Sequence, residues 1–301
     1  MDRRSFIASS FWLTAGMALL PAGSLPARST FNQLDPIRRN VGVFTGRGGT
    51  IGWLADDNAI VVVDAQFPPS AGVFFGKIQK ISSQSIDALI NTHHHADHTA
   101  GNSYFRNITN TIVAHDNVPD LQRSVAEERN TMNDQVYADT TFGESWKLDT
   151  GDEVIHAKYY GPAHTSGDIV IHFEKANVYH LGDLIFNRWY PFIDREGGAS
   201  IENWIHVLET IADESESDTQ FIFGHGSADY GVTGDAGDLY LMRDYLSALL
   251  DFVEKNRANG KPLEEIENHR QLDGFPNHVS AGSRLSLQAN IQAAWDELNE
   301  S

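Results

Sequence analysis

Asn91-Thr92-His93-His94-His95-Ala96-Asp97-His98-Thr99-Ala100-Gly101-Asn102 places four imidazoles and one carboxylate within six residues, His93 to His98. Directly before it, Ile86-Asp87-Ala88-Leu89-Ile90 is a short apolar run that reads as a buried strand. A buried strand that ends by delivering so many metal-competent side chains to one point suggests a site. A solvated histidine-rich loop would need no such strand before it.

Outward from this stretch the pattern is an α/β alternation. Val41 to Thr45 and Ile51 to Leu54 predict a hairpin around Gly46-Arg47-Gly48-Gly49. Ala59 to Val63 is an unbroken apolar run, read as a buried strand with Asp64 at its tip. Pro68-Pro69-Ser70 opens a helix to about Ser82, with Val73, Phe74, Ile78 and Ile81 on one side. A helix over Thr99 to Phe105, a strand over Thr111 to His115 and a helix from Asp116 or Asn117 to about Met132 follow. A second half repeats the theme, with strands at Ser145 to Leu148, Glu153 to Tyr160, Ile169 to Phe173, Val178 to Leu181 and Phe221 to Phe223. A helix from Ser200 to about Ala212 lies among them, and the segment from Asp235 onward has helical spacing.

Three further strand ends carry metal-competent groups: His164 in Gly161-Pro162-Ala163-His164-Thr165, Asp183 in His180-Leu181-Gly182-Asp183, and His225 in Phe223-Gly224-His225-Gly226. Taken singly, each reads as an ordinary structural residue. Together they place imidazoles and carboxylates at four strand ends, the edge where sites collect in α/β sheets. The chain has no cysteine, so any transition-metal site must use imidazole and carboxylate, which suits zinc, iron or manganese.

The set His93-x-His95-x-Asp97-His98, then His164, Asp183 and His225, resembles the metallo-β-lactamase superfamily in order and spacing, over roughly Val41 to His225. The resemblance implies a four-layer αβ/βα sandwich with a binuclear zinc centre between its two sheets. Carried over by position, His93, His95 and His164 would bind one zinc, Asp97, His98 and His225 the second, and Asp183 would bridge both. The implied enzyme is a hydrolase that uses a metal-bridging hydroxide to cleave a lactone, ester, thioester or amide, with Asp97 orienting that hydroxide. Asp64 is expected to support a ligating histidine, and His94, which alternates away from its neighbours, to stay outside the ligand set. His115, His156, His172, His180 and His206 read as structural. Two other readings use the same residues: an iron-dependent enzyme like a persulfide dioxygenase, and a metal-binding accessory protein without turnover. The full set of seven donors argues for two metals and favours hydrolysis.

The resemblance has departures. Asp183 stands where some β-lactamases carry a zinc-binding cysteine, and Phe186 where they carry a lysine that holds the antibiotic's carboxylate. β-Lactams are therefore expected as side substrates at most. Arg188 is the nearest cation able to replace that lysine, although a surface position is the plainer expectation. Trp189, Tyr190, Pro191 and Phe192 are expected to wall the substrate pocket.

The formal charge of −19 repels phosphate backbones, which excludes a nucleic-acid substrate and leaves a small acyl compound as the expected partner. Asp2-Arg3-Arg4-Ser5-Phe6-Ile7 sets twin arginines before an apolar run to Leu20, and small residues follow. This resembles a twin-arginine export signal over residues 1–27, with residues 28–301 as a catalytic domain ending in helices. It implies a periplasmic or exported bacterial protein with no stable membrane insertion after cleavage. Nothing in the sequence speaks to oligomeric state.

Overall fold

The computed structural model describes residues 31–300, so the twin-arginine segment and the expected boundary at residue 27 lie outside the described residues. The first sheet has seven strands in sequence order: β1 (Leu34–Arg38), β2 (Val41–Phe44), β3 (Ile51–Ala55), β4 (Ile60–Val63), β5 (Ala88–Ile90), β6 (Ile112–His115) and β7 (Thr140–Phe142). Strands β1 to β4 pair antiparallel, and the β2–β3 hairpin turns where the glycine-rich stretch predicts it. Strands β4 to β7 are parallel and linked by helices α1 (Pro68–Ile78), α2 (Ala96–Thr99), α3 (Asn102–Phe105) and α4 (Val118–Glu128).

The second half supplies β8 (Ser145–Asp149), β9 (Val154–Tyr159), β10 (Ile169–Phe173), β11 (Val178–His180), a short β12 (Phe186–Asn187), β13 (Gln220–Ile222), β14 (His225–Gly226) and β15 (Thr233–Gly234). The second sheet runs β15-β13-β11-β10-β9-β8, and β12 pairs with β14 as a separate ribbon. Helices α5 (Ile201–Glu214), α6 (Ala236–Ala258), α7 (Leu263–Ile266) and α8 (Leu287–Glu300) complete the chain. Ser200 caps α5 by accepting from the Asn203 amide at 3.2 Å, and Asp235 and Asp238 form a capping box on α6.

Side-chain alternation makes the layers. Along β4, Val61 and Val63 face the second sheet and pack with Ile155, Ile171 and Phe173. Ile60 and Val62 face the other way, onto Phe74 and Ile78 of α1 and Phe105 of α3. A third core lies beyond the second sheet, where Trp204, Leu208 and Ile211 of α5 meet Met242, Leu246 and Leu249 of α6 and Ile291 of α8. Helices, sheet, sheet, helices is the expected four-layer αβ/βα sandwich.

Local expectations fail where exposure decides. Helix α1 ends at Ile78 and buries Ser70, Ala71, Phe74 and Ile78, while Val73 and Ile81 are exposed. The expected helix over Thr99 to Phe105 is two single turns, α2 and α3. Helix α4 stops at Glu128, short of Met132. The C-terminal stretch is not helical throughout, because residues 267–286 form an irregular strap between α7 and α8. No helix among the described residues is long and apolar enough to cross a membrane.

Candidate metal centre

The carboxyl ends of β4, β5, β9, β11 and β13 open onto one edge, and all seven donors meet there. His93 Nε2 lies 3.0 Å from His95 Nδ1, and Asp183 Oδ2 lies 3.8 Å from both His93 Nε2 and His164 Nε2. On the other side of Asp183, Oδ1 is 3.1 Å from His98 Nε2, and Oδ2 is 3.4 Å from His225 Nε2. Asp97 Oδ2 closes this second group, 3.1 Å from His225 Nε2 and 3.7 Å from His98 Nε2. Four ligands held tetrahedrally at about 2.0–2.1 Å from a zinc ion sit about 3.3 Å from one another, so these separations suit such an ion. His164 Nε2 is buried with no hydrogen-bond partner among the described residues, and Asp183 Oδ1 faces His98 without hydrogen-bond alignment. Donor atoms aimed at each other across a buried gap fit a cation between them.

The far side of four of these rings decides which nitrogen is free. Asp64, at φ 64 after β4, accepts from the Thr92 amide and the Thr92 hydroxyl, each at 2.8 Å. With its proton given to Asp64, Thr92 Oγ1 accepts from His93 Nδ1 at 3.0 Å, which leaves Nε2 bare. Asp64 Oδ2 also accepts from His98 Nδ1 at 2.7 Å. One buried carboxylate thus orients a donor in each group. Asp194 Oδ2 accepts from His95 Nε2 at 2.8 Å, and Asp168 Oδ1 lies 3.4 Å from His164 Nδ1.

Charge divides the two groups. Burial holds His93 well below the ordinary histidine value and lowers His95 as well. Against the pull of burial, the hydrogen bond to Asp168 raises His164. Burial also opposes a charge on His98 and His225, yet Asp183 leads the carboxylates that lift His98 well above its ordinary value and His225 to about 9. Asp183 and Asp97 stay ionised despite burial, Asp183 held down chiefly by His225 and Asp97 by His98.

His94 Nε2 faces Asp194 Oδ2 at 3.5 Å, and burial pushes this ring down to about 3. His94, His95 and Asp194 are close enough to suggest another metal group. His95 Nε2 is already committed to Asp194, however, while its Nδ1 faces His93. We therefore read Asp194 as a clamp on two neighbouring rings. Two glycines give the centre room: a side chain at Gly49 would strike the His98 ring, and one at Gly224 would strike Asp183.

A cavity of about 530 Å³ opens over the donors, lined by Phe67, Phe186 and Phe192 among apolar groups and by Arg129 and Arg284 among charged ones. The expected aromatic wall needs correction. Of the run Trp189 to Phe192, Phe192 lines the cavity. Tyr190 is buried in the core beside Tyr245 and His278, and Trp189 stacks near-parallel to the His225 ring at 5.8 Å from outside the cavity. Arg188 is paired with Asp238 at 2.6 Å and lies over Tyr230, so it offers the cavity no charge. His115 stacks on Tyr159, and His180 sits beside the Thr50 carbonyl, both remote in role from the donors.

Sequence reasoning missed Asp194, Asp168 and the two cavity arginines. Asp168 had a signal, four residues after His164 and beside Gly167; the others had none nearby in sequence.

Residues 44–252 match the family model described as the metallo-beta-lactamase superfamily. Over 187 residues the chain is 29% identical to a probable metallo-hydrolase of Methanocaldococcus jannaschii, which covers 55% of this chain and 82% of that protein. Among solved structures, a stereoselective inverting sec-alkylsulfatase from Pseudomonas sp. superposes with a TM-score of 0.68 at 12% identity, covering 87% of this chain and 49% of its own. This chain therefore spans about half the length of that sulfatase. The DIM-1 metallo-beta-lactamase superposes at 0.58 and 19% identity, covering 71% of this chain and 96% of its own. At these identities the two solved structures speak for the fold alone. With its donor set gathered on that fold, the chain belongs to the metallo-beta-lactamase superfamily, as a metal-dependent hydrolase.

Proposed function

We propose that the protein is an exported binuclear zinc hydrolase that cleaves a lactone, ester, thioester or amide. The observation that carries this reading is the pair of facing donor groups, His93, His95 and His164 against Asp97, His98 and His225, with Asp183 between them. The all-nitrogen-and-oxygen donor set suits zinc, with iron or manganese as the alternatives that the same ligands accept. Two ions held by these residues would supply a water acidified to a pKa of about 7 and a Lewis-acid contact for the carbonyl oxygen.

The chain's own residues do the rest. Asp97, one-third exposed at the cavity floor and held ionised, accepts a hydrogen bond from the attacking water and orients it. Its low proton affinity makes it a poor proton store, so the proton passes on to the leaving group. Phe67, Phe186 and Phe192 exclude bulk water from the acyl chain. Water adds to the acyl carbon, the bond to oxygen, sulfur or nitrogen breaks, and the leaving group takes up the proton.

Elemental analysis of protein purified without chelator tests the metal: two zinc ions per chain are expected, and a single iron with dioxygen uptake overturns hydrolysis. Turnover of a lactone, a thioester, a phenyl ester and a chromogenic cephalosporin is then compared with His93→Ala. Loss of a measurable ester or lactone activity in the variant supports the reading, and equal turnover by both proteins removes it. Export is tested by replacing Arg3 and Arg4 with lysine, which should keep the protein in the cytoplasmic fraction.

A further inference from the structure

We propose that the substrate carries an anionic group remote from the scissile bond, and that Arg284, with Arg129 on the same cavity, reads it. This rests on the hydrolase reading above and names its substrate class. The chain is strongly acidic, and several of its arginines are taken up by carboxylates: Arg38 by Asp218, Arg123 by Asp120, Arg188 by Asp238, Arg195 by Glu297 and Glu300, Arg243 by Glu209 and Asp244. Arg129 and Arg284 are set apart by their place. Both line the metal-site cavity, and neither has a carboxylate within ion-pair distance among the described residues, although Glu128 and Glu196 line the same space.

Arg284 is held in a way that suits recognition. Its guanidinium lies over the Phe192 ring at 4.7 Å, and that ring packs against His95 at 5.2 Å and His164 at 6.0 Å. One aromatic layer therefore separates the cation from the first donor group. No described residue accepts a hydrogen bond from the Arg284 guanidinium, so its N–H groups remain available to the two oxygens of a carboxylate or sulfonate.

The segment that presents Arg284 is anchored. The Val279 amide donates to the Arg188 carbonyl at 3.0 Å, the Tyr190 amide to the Val279 carbonyl at 3.1 Å, and the Ala281 amide to the Leu285 carbonyl at 3.0 Å. His278 stacks on Tyr245 at 4.7 Å and 13°. The strap thus hangs from the segment that follows Asp183, and it lies beyond residues 44–252 matched by the family model. Tyr190, set back from the cavity, acts here as part of the strap's anchor.

The test uses zinc-loaded full-length protein and the exposed-residue variants Arg284→Gln and Arg129→Gln, with thermal melts to verify folding. Hydrolysis of phenyl hydrogen glutarate is compared with that of neutral phenyl pentanoate. Wild type should favour the anionic ester, and Arg284→Gln should lower the anionic-to-neutral ratio of kcat/KM about tenfold, mainly through KM. An unchanged ratio overturns the proposal. Calorimetric titration with benzylsulfonate against benzyl alcohol gives a second readout that needs no turnover. If wild type turns over no ester and no member of the lactone, thioester and cephalosporin panel, the hydrolase reading fails. Benzylsulfonate binding that weakens about tenfold in Arg284→Gln still supports the arginine site, and equal binding to both proteins overturns it.

Discussion

The two donor groups on either side of Asp183 match in number of ligands and differ in charge. In the first, burial leaves His93 and His95 as neutral rings with lone pairs free at neutral pH, and only His164 is raised, by Asp168. In the second, Asp183, Asp97 and Asp64 surround His98 and His225, so these rings keep protons that a metal would have to displace. The difference teaches that one group is prepared for a cation by desolvation, and the other is balanced by protons until a cation arrives. Loading of the first group should therefore depend less on pH than loading of the second.

The sharpest way to break the comparison is to remove the residue that joins the groups. Asp183→Ala should lower kcat on the order of a thousandfold, the scale expected when a key electrostatic contact to the reacting centre is lost, and should reduce bound metal below two ions. Steady-state kinetics with elemental analysis checks both, and retention of two ions with full activity would show that the groups do not depend on their shared carboxylate.

The supporting carboxylates should divide unequally. Asp64 holds His98 directly and His93 through Thr92, whereas Asp194 holds His95. Asp64→Asn should weaken metal affinity in both groups by about 10- to 100-fold, and Asp194→Asn should do so in the first alone. Competition with a chromophoric chelator, resolved into two binding steps, separates these outcomes.

The smallest expected effect is on stability. Above the ordinary histidine value of about 6.5, His93 and His95 are neutral folded and unfolded alike and add no pH dependence. His98 and His225, joined by His164 as the one raised ring of the first group, still hold protons in the folded metal-free chain that the unfolded chain has lost. The stability they supply is fully present below about pH 6.5 and drains as pH rises toward about 9, the value to which His225 is lifted. Urea midpoints of metal-free protein should fall across that range, and those of metal-loaded protein should not. A flat metal-free profile would show that none of these three rings keeps its proton, and an Asp168→Asn variant that flattens it would place the effect in the first group instead of the second.

Much of the fold was legible because its central strands are continuous apolar runs. Ala59 to Val63 and Ala88 to Ile90 are buried on both faces, so nothing in them alternates and little else can be made of them. Strands β1 and β7 were not legible. They are the edges of the first sheet, half-exposed, and β1 even carries Pro36, so neither needs the apolar density that marks a central strand. The cavity wall is hard to read from sequence for a related reason. Proximity in sequence to Asp183 does not bring proximity to the cavity, because the chain from Phe186 to Phe192 turns some aromatic rings inward to the third core and others toward the donors.

By itself, the sequence pointed to seven metal-competent residues, because such side chains at strand ends are a local property of motif and strand. It also determined the layered architecture, through the spacing of apolar runs. Only the tertiary structure decided what stands behind the donors and what stands over them. Asp194 meets His95 from far along the chain, and Arg284 reaches the cavity on a strap pinned to the segment after Asp183. Such contacts leave no periodicity or short spacing to read, since they arise when separate segments are brought together by burying apolar surface elsewhere.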